Sequence, residues 1–195
     1  MASRGTMLVV SGPSGSGKST ICKRLMADPR IEFSVSAATR APRAGEVDGR
    51  EYHFMDKAQF RAEIDRGAFI EWAEVHGNLY GTPRVPMERA LAAGKVFLVE
   101  IDVQGGAQLK TLGLPGVYVF VAPPDLASLR ARLESRGTDT PEVIERRMTR
   151  AQEEMRARER YDHVVVNTDL ERAVAEVRRL AGLSREPGGS AGHSP

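Results

Sequence analysis

Cysteine is nearly absent from this chain, since Cys22 is the only one among 195 residues. A single cysteine excludes an internal disulfide and is typical of proteins from a reducing compartment. The first residues contain no apolar segment of the secretory type, and no apolar run approaches the roughly 18 residues that a membrane helix needs. The sequence therefore predicts a cytoplasmic protein in which Cys22 is a small buried residue rather than a reactive thiol.

The chain also lacks an excess of charge of either sign. Its 28 lysine and arginine residues and its 26 aspartate and glutamate residues give a net charge of +2 at pH 7. A surface built for nucleic acid or for an anionic membrane needs a stronger basic excess. We therefore expect neither partner, and we expect the basic residues to matter through their positions.

Internal repeats and a second independent core are absent as well. A chain of 195 residues with 41% hydrophobic residues is ordinary for one globular core with room for inserted elements. The functional classes that remain are therefore those that a single core with insertions can support.

What is present is dominated by a glycine-rich loop near the amino terminus. Residues 12–19 read GPSGSGKS after an apolar strand, which is the full G-x-x-x-x-G-K-S pattern of a phosphate-binding loop. Glycines let the backbone turn its N–H groups inward, and the positive end of the following helix faces the same anion. In such loops the lysine, here Lys18, reaches the β- and γ-phosphates, and the hydroxyl, here Ser19, ligates Mg²⁺.

The alternative for this stretch is a glycine-rich turn that binds nothing. The Lys-Ser pair and the flanking strand argue against that alternative. We therefore predict that the chain binds a nucleoside triphosphate together with Mg²⁺. The predicted loop consists of Gly12, Pro13, Ser14, Gly15, Ser16, Gly17, Lys18, Ser19 and Thr20.

Apolar runs of strand length alternate with amphipathic helical segments along most of the chain. The predicted core strands are residues 7–11, 96–102, 117–122 and 163–166. This alternation predicts an α/β fold with a mostly parallel central sheet flanked by helices, whose ligands bind at the carboxyl ends of the strands. The second of these strands ends in Glu100 and Asp102, where an acid that organises Mg²⁺ is expected, although acids at strand ends are common.

Several helices can be delimited from their capping residues and apolar stripes. Asp56 with Gln59, and Thr168 with Glu171, predict capping boxes, and Thr82 before Pro83 predicts a capping hydroxyl at a helix start. Helices are also predicted at 125–136 and at 142–160. The stripe of the latter is predicted to contain Val143, Met148, Ala151 and Met155.

The stretch from 34 to 82 interrupts the strand and helix rhythm, and we interpret it as an inserted subdomain. Arg40 and Arg43 follow a strand, with Ser36 before them and Tyr52 after them, and could clamp a second phosphate. The alternative is a pair of solvated surface arginines. Glu71 alternates with Ile70 and Trp72, so it should point away from the face on which Trp72 packs. A further phenol and hydroxyl follow at Tyr80, Gly81 and Thr82.

These segments together resemble the guanylate kinase family. The resemblance covers about residues 6–181 in order, and it includes motifs specific to that family. It rests on the segments SGPSGSGKST, FSVSAATRAPRAGEVDGREYHF, FIEWAEVHGNLYGT, VEIDVQGG, VFVAPP, RLESRGTD and VVVN.

The resemblance implies an ATP:GMP phosphotransferase of the P-loop kinase fold, with Mg²⁺ as cofactor and ATP as co-substrate. Catalytic roles would fall to Lys18, Arg40, Arg136 and Arg147. Arg132 and Arg136 would join the loop in ATP binding, with Asn167 near adenine. GMP would be bound by Ser36, Arg40, Arg43, Tyr52, Glu71, Tyr80, Gly81, Thr82, Glu100 and Asp102, where many members have aspartate at position 100.

The resemblance also implies a division of the chain. The core would comprise residues 1–33, 83–125 and 157–182, the GMP-binding insertion 34–82, and the helical lid 126–156. The composition at 183–195, rich in glycine, serine and proline, predicts a disordered tail, and the sequence leaves both a monomer and a homo-oligomer open. The insertion and the lid would close over the two nucleotides and exclude water, which would otherwise make the enzyme an ATPase.

The residue types agree with this reading on chemical grounds. Guanine offers two N–H donors beside one carbonyl, so a carboxylate such as Glu71 accepts both donors, while the hydroxyls of Ser36 and Thr82 can donate to O6 and N7. The acceptor phosphate is already ionised, so no general base is required.

Two other functions remain open on sequence alone. A related kinase could act on another phosphorylated acceptor such as a ribose phosphate, but it would not need the residues that read guanine. A non-catalytic scaffold of the same fold could bind protein partners, but such a scaffold would have no need of an intact phosphate loop.

Overall fold

The computed structural model describes residues 5–75, 77–135, 137 and 140–184. Arg136 lies outside the described residues, so its predicted role stays a prediction. In chain order the elements are β1 (Thr6–Ser11), α1 (Lys18–Leu25), β2 (Ile31–Phe33), β3 (Ala37–Ala38), β4 (His53–Phe54), α2 (Lys57–Asp65), β5 (Phe69–Val75), β6 (Asn78–Pro83), α3 (Arg84–Ala92), β7 (Val96–Glu100), α4 (Val103–Thr111), β8 (Gly116–Ala122), α5 (Leu126–Glu134), α6 (Pro141–Arg156), a 3₁₀ turn (Ala157–Arg160), β9 (His163–Val166) and α7 (Leu170–Leu180).

Five parallel strands form a central sheet in the order β2-β7-β1-β8-β9. The middle strand, β1, is covered on both faces, which explains its near-continuous apolar sequence. Leu8 and Val10 pack with residues of α1 and α7, whereas Met7 and Val9 pack with residues of α3 and α4. The predicted α/β fold with a parallel sheet flanked by helices is confirmed, and Cys22 is buried as expected.

A second, four-stranded sheet lies within the predicted insertion, in the order β4-β3-β6-β5. It covers a small core in which the rings of Phe60 and Phe69 stack with centroids 4.5 Å apart. An irregularity in the pairing of β5 at Ile70 sends that side chain into the central core instead. The strand β5 therefore contributes to both cores and fixes the position of the inserted sheet against the central sheet.

The helices α5 and α6, which lie in the region predicted to be a lid, pack against each other. Their contact is made by Leu129 and Leu133 of α5 with Ile144, Met148 and Ala151 of α6. The predicted stripe is wrong at Val143, since Ile144 is the buried residue at that turn. The prediction of one helix over 142–160 is also wrong at its end, because α6 stops at Arg156 and continues as a 3₁₀ turn.

Two of the predicted capping motifs proved wrong. The Asp56 capping box with Gln59 is present. Thr82 instead belongs to β6, and Pro83 precedes the first residue of α3. At α7 the cap is Asp169, whose carboxylate accepts from the Arg172 backbone N–H, and not Thr168. Aspartate and threonine are both good caps, so sequence pattern alone could not separate adjacent candidates.

Within the described ranges, the structure contains no helix that is long and apolar enough to cross a membrane. At the carboxyl end Leu183 is buried in the central core. Residues 185–195, which make up most of the predicted disordered tail, lie outside the described residues.

Candidate active site

The glycine-rich loop connects β1 to α1 at the carboxyl edge of the central sheet, as predicted. Two of its glycines are required by close packing and by backbone angles that other residues rarely adopt. Gly12 has a φ of 138°, and a Cβ there would lie 2.2 Å from the Val121 carbonyl oxygen. Gly17 has a φ of 97°, and a Cβ there would lie 2.2 Å from Nδ2 of Asn167. The loop can therefore keep this shape only with glycine at both positions.

Lys18 folds back over the loop that precedes it. Its ammonium group donates to the carbonyl oxygens of Gly12 at 2.7 Å and Pro13 at 2.9 Å. Burial lowers the pKa of Lys18, whereas the carboxylates of Glu100 and Glu154 act in the opposite direction. An ammonium group has three donors, so this arrangement leaves one for a phosphate oxygen held by the loop.

Ser19 connects the loop to the neighbouring strand β7. Its hydroxyl donates to Oε1 of Glu100 at 2.5 Å, and Glu100 pairs with Val10 where the two parallel strands end. Two oxygen ligands of the kind that Mg²⁺ prefers thus meet beside the phosphate loop. Among the described residues there is no group of three or more acidic, histidine or cysteine side chains that could hold a metal without a substrate.

Arg132 and Asn167 meet behind the loop, where both contact its backbone. Arg132 donates to the carbonyl oxygen of Asn167 at 2.8 Å and to that of Ser16 at 3.3 Å. The Asn167 amide donates to the Ser16 carbonyl at 2.8 Å. Both predicted residues therefore lie at the loop, whereas Arg147 is half-buried on α6. Ser14 and Thr20 are exposed at the loop and at the start of α1.

A cavity of about 230 Å³ lies between the insertion and the end of β7. Every residue predicted to bind GMP contributes to its wall except Thr82, which lies behind Glu71. The wall consists of Ser36, Arg40, Arg43, Tyr52, Glu71, Ala73, Val75, Tyr80, Gly81, Glu100, Ile101 and Asp102. The fold thus gathers residues that are up to 66 positions apart in sequence into one concave site beside the phosphate loop.

Glu71 is the buried acid of this cavity. It lies on β5 directly opposite Thr82 of β6, whose hydroxyl donates to Oε1 of Glu71 at 2.5 Å. Burial raises the pKa of Glu71 to about 7, and the nearby Asp102 contributes in the same direction. Glu71 and Trp72 do point to opposite sides, but Trp72 is 42% exposed and the acid is the residue that is packed.

The amino end of α4 closes the cavity behind Glu71. Gly105 of this helix leaves room for Glu71, because a Cβ at this position would lie only 2.9 Å from Oε2 of Glu71. A helix amino terminus favours negative charge, so α4 supports a carboxylate at this position. Sequence reasoning did not single out Gly105 and predicted no helix here, although two adjacent glycines (Gly105 and Gly106) just after a strand were a signal of close packing.

Arg40 also lines the cavity and is held by a residue that sequence reasoning missed. Both terminal nitrogens of Arg40 donate to Glu46, at 2.6 and 2.7 Å, and the guanidinium lies 4.8 Å from the centre of the Tyr52 ring. The pair raises the pKa of Arg40 and lowers that of Glu46 to about 2. Glu46 also accepts from the Arg43 backbone N–H at 2.8 Å, so one carboxylate organises both predicted phosphate ligands.

Comparison with known proteins gives one consistent result. The family model described as "Guanylate kinase" matches residues 4–182. The guanylate kinase of Cereibacter sphaeroides is 48% identical over 188 residues, covering 95% of this chain and 89% of that relative. The guanylate kinase of Chelativorans sp. is 50% identical over 185 residues, covering 93% of this chain and 84% of that relative.

A solved structure agrees with these sequence relatives. The crystal structure of guanylate kinase from Anaplasma phagocytophilum superposes with a TM-score of 0.77 at 33% identity. The match covers 95% of this chain and 89% of that one. The similarity therefore extends over the central sheet, the inserted sheet and the helices α5 and α6 together.

Proposed function

Because this chain belongs to the guanylate kinase family and is therefore an ATP:GMP phosphotransferase, we propose that its phosphate loop holds ATP and that the cavity holds GMP. The observation that carries this assignment is that Glu100 lines the cavity and also accepts a hydrogen bond from Ser19 of the loop. The phosphates of two bound nucleotides, one in each site, would therefore lie close to each other near Glu100. The two sites are thus adjacent, as direct transfer of a phosphoryl group requires.

We propose that Glu71 reads the guanine base. Its two carboxylate oxygens can accept the ring N–H and one amino N–H, and Ser36 supplies a hydroxyl in the wall of the cavity. The Thr82 hydroxyl, which was predicted to donate to guanine, donates to Glu71 instead and so would hold that carboxylate in place. Adenine offers a different order of donors and acceptors, so this set favours GMP over AMP. The phosphate of GMP would lie at the other end of the cavity, on Arg40, Arg43, Tyr52 and Tyr80.

On the donor side we propose that the backbone N–H groups of residues 12–20 and the Lys18 ammonium bind the ATP phosphates. Arg132 and Asn167 keep the loop in shape through Ser16, and adenine would lie beside them. Arg136 and Arg147 would reach the transferred phosphoryl group when the lid closes.

Mg²⁺ fits the residues that lie beside the loop. Ser19 would ligate it, and Glu100 would orient the Ser19 hydroxyl. When bound, the ion supplies charge neutralisation at the bridging phosphate oxygens. Catalysis by the protein itself then reduces to alignment and to further neutralisation by Lys18 and the arginines.

The reaction assignment is tested by measuring ADP formation with AMP, GMP, CMP, UMP and ribose phosphates as acceptors. We expect GMP alone to be used efficiently, because only guanine matches the Glu71 carboxylate. Efficient use of a ribose phosphate would instead indicate the related kinase, and binding of protein partners with no transfer would indicate the scaffold.

The environment of Glu71 predicts that GMP binding depends on pH. The carboxyl group has a pKa raised to about 7, and it must be ionised to accept two N–H groups. Binding therefore weakens as the pH falls through 7, and the dissociation constant for GMP should rise about tenfold between pH 8 and pH 6, following the ionised fraction. Isothermal titration calorimetry at both pH values measures this change.

The GMP phosphate also titrates near pH 6, so this experiment needs a matched control. The Glu71→Gln variant cannot titrate at this site and reports the contribution of the phosphate alone. An equal pH dependence in both proteins would contradict the role given to Glu71.

We also propose that residues 34–82 and 126–156 close on the core when both nucleotides are bound. Arg40 and Arg43 lie on the first segment and Arg147 on the second, and all three must approach shared phosphates. Small-angle scattering should show a smaller radius of gyration with a bisubstrate analogue than without it. No compaction would count against the closure. The location of the protein and the absence of nucleic-acid and membrane partners stay predictions from the sequence.

A further inference from the structure

The helix α6 carries two charged residues, Arg150 and Glu154, that none of the sequence motifs includes. Arg150 donates through Nε to Oε1 of Glu154, one turn further along the helix, at 2.8 Å. A terminal nitrogen of the same guanidinium lies 3.6 Å from Oδ2 of Asp102. Asp102 follows β7 and belongs to the wall of the GMP cavity. The cluster therefore joins the lid helix to the proposed GMP site.

The two oxygens of Asp102 have different environments. Oδ1 accepts from the backbone N–H groups of Gln104 and Gly105, each at 3.0 Å, and so caps α4. Oδ2 is buried and accepts no hydrogen bond from the described part of the chain. A buried carboxylate oxygen without a donor is unfavourable, so it is suited to a donor that a ligand brings.

Guanine brings such a donor. Its amino group has two N–H bonds, and the two oxygens of Glu71 can accept only one of them together with the ring N–H. The second amino N–H needs another acceptor in the same cavity. Asp102 is close enough to Glu71 for the two charges to interact, and its Oδ2 is the oxygen that Arg150 approaches.

Resting on the proposed function, we propose that Arg150 is a positioning residue for GMP. Its guanidinium, held by Glu154, attracts Oδ2 of Asp102 and keeps that oxygen in the orientation that accepts the guanine amino group. The contact of 3.6 Å is an ion pair rather than a hydrogen bond, so it orients Oδ2 without taking its place as an acceptor.

The test compares Arg150→Met with Arg146→Met, which removes an exposed arginine from the same helix. The Michaelis constant for GMP should rise about five- to twentyfold in Arg150→Met, with kcat and the Michaelis constant for ATP within about twofold of wild type. With IMP, which lacks the amino group, the Arg150→Met change should have little effect, so the preference for GMP over IMP should fall by the same factor. Arg146→Met should match wild type throughout.

A double-mutant cycle shows whether Arg150 acts through Asp102. In an Asp102→Asn background, Arg150→Met should change the Michaelis constant for GMP by less than about twofold, because the oriented carboxylate is already gone. Additive effects would overturn the proposal. So would an unchanged GMP preference, or a loss confined to kcat or to ATP.

If thermal unfolding shows that Arg150→Met does not fold, Arg150→Lys decides the question. Lysine keeps the charge but cannot hold Glu154 and Asp102 with one planar group, so a selective rise in the Michaelis constant for GMP is expected. No rise in this folded variant would overturn the proposal. Wild-type protein that uses no GMP at all would overturn the proposed function instead, so the two failures can be told apart.

Discussion

Replacing Lys18 with alanine should lower kcat by about 10³-fold or more, because the charge that offsets the developing negative charge on the transferred phosphoryl group is lost. The ammonium lies within the loop, bonded to Gly12 and Pro13, which places it beside any phosphate that the loop binds. Steady-state rates of ADP formation with saturating ATP and GMP measure the effect.

The matched control is Lys23→Ala, which removes an exposed lysine from the same helix, α1. This control should retain wild-type turnover. Because alanine at position 18 also removes two hydrogen bonds within the loop, thermal unfolding of both variants should be recorded. A folded Lys18→Ala protein that retains a tenth of wild-type turnover would refute the assignment of the phosphate loop.

Replacing Glu71 with glutamine should lower kcat/KM for GMP by about 10²- to 10⁴-fold. Glutamine keeps the size of the side chain but turns one acceptor into a donor that faces a guanine donor. Sites that read a polar substrate by such pairing discriminate by about 10⁴–10⁵-fold, and most of this advantage depends on correct donor and acceptor matching. Glu71 is buried beside Thr82 and α4, so water can compensate little for the mismatch.

Glu74→Gln, an exposed substitution on the same strand, should have no effect. The dissociation constant for ATP should also be unchanged in Glu71→Gln, because Glu71 belongs to the other site. Wild-type efficiency with GMP would eliminate Glu71 as the guanine reader. Equal damage to ATP binding would instead point to misfolding of the whole protein.

The phosphate loop could be predicted in full from the sequence. Its shape depends on glycines at fixed spacings and on a strand and a helix that adjoin it directly. Gly12 and Gly17 show this dependence through backbone angles and contacts that tolerate no side chain. The Asp56 capping box was predictable for the same reason, since its partners are three residues apart.

The residues of the GMP cavity were predictable only as a list of chemical types and through a family resemblance. Glu71 lies on an edge strand, where an acid is ordinarily exposed, and its burial comes from α4 and from β6. Thr82 has the local signature of a helix cap, but its hydroxyl binds Glu71 across the sheet. At this position the pairing of two strands, and not the local capping pattern, determined the conformation of Thr82.

The sequence by itself determined the four predicted core strands and the phosphate loop, because these depend on the spacing of neighbouring residues. Only the tertiary structure decided that Glu46 holds Arg40 and that Arg150 of α6 approaches Asp102 at the end of β7. Asp102 and Arg150 are 48 positions apart. Side chains at such a separation meet only where the packing of apolar faces brings their helices and strands together, and that packing has no signature in the charged residues themselves.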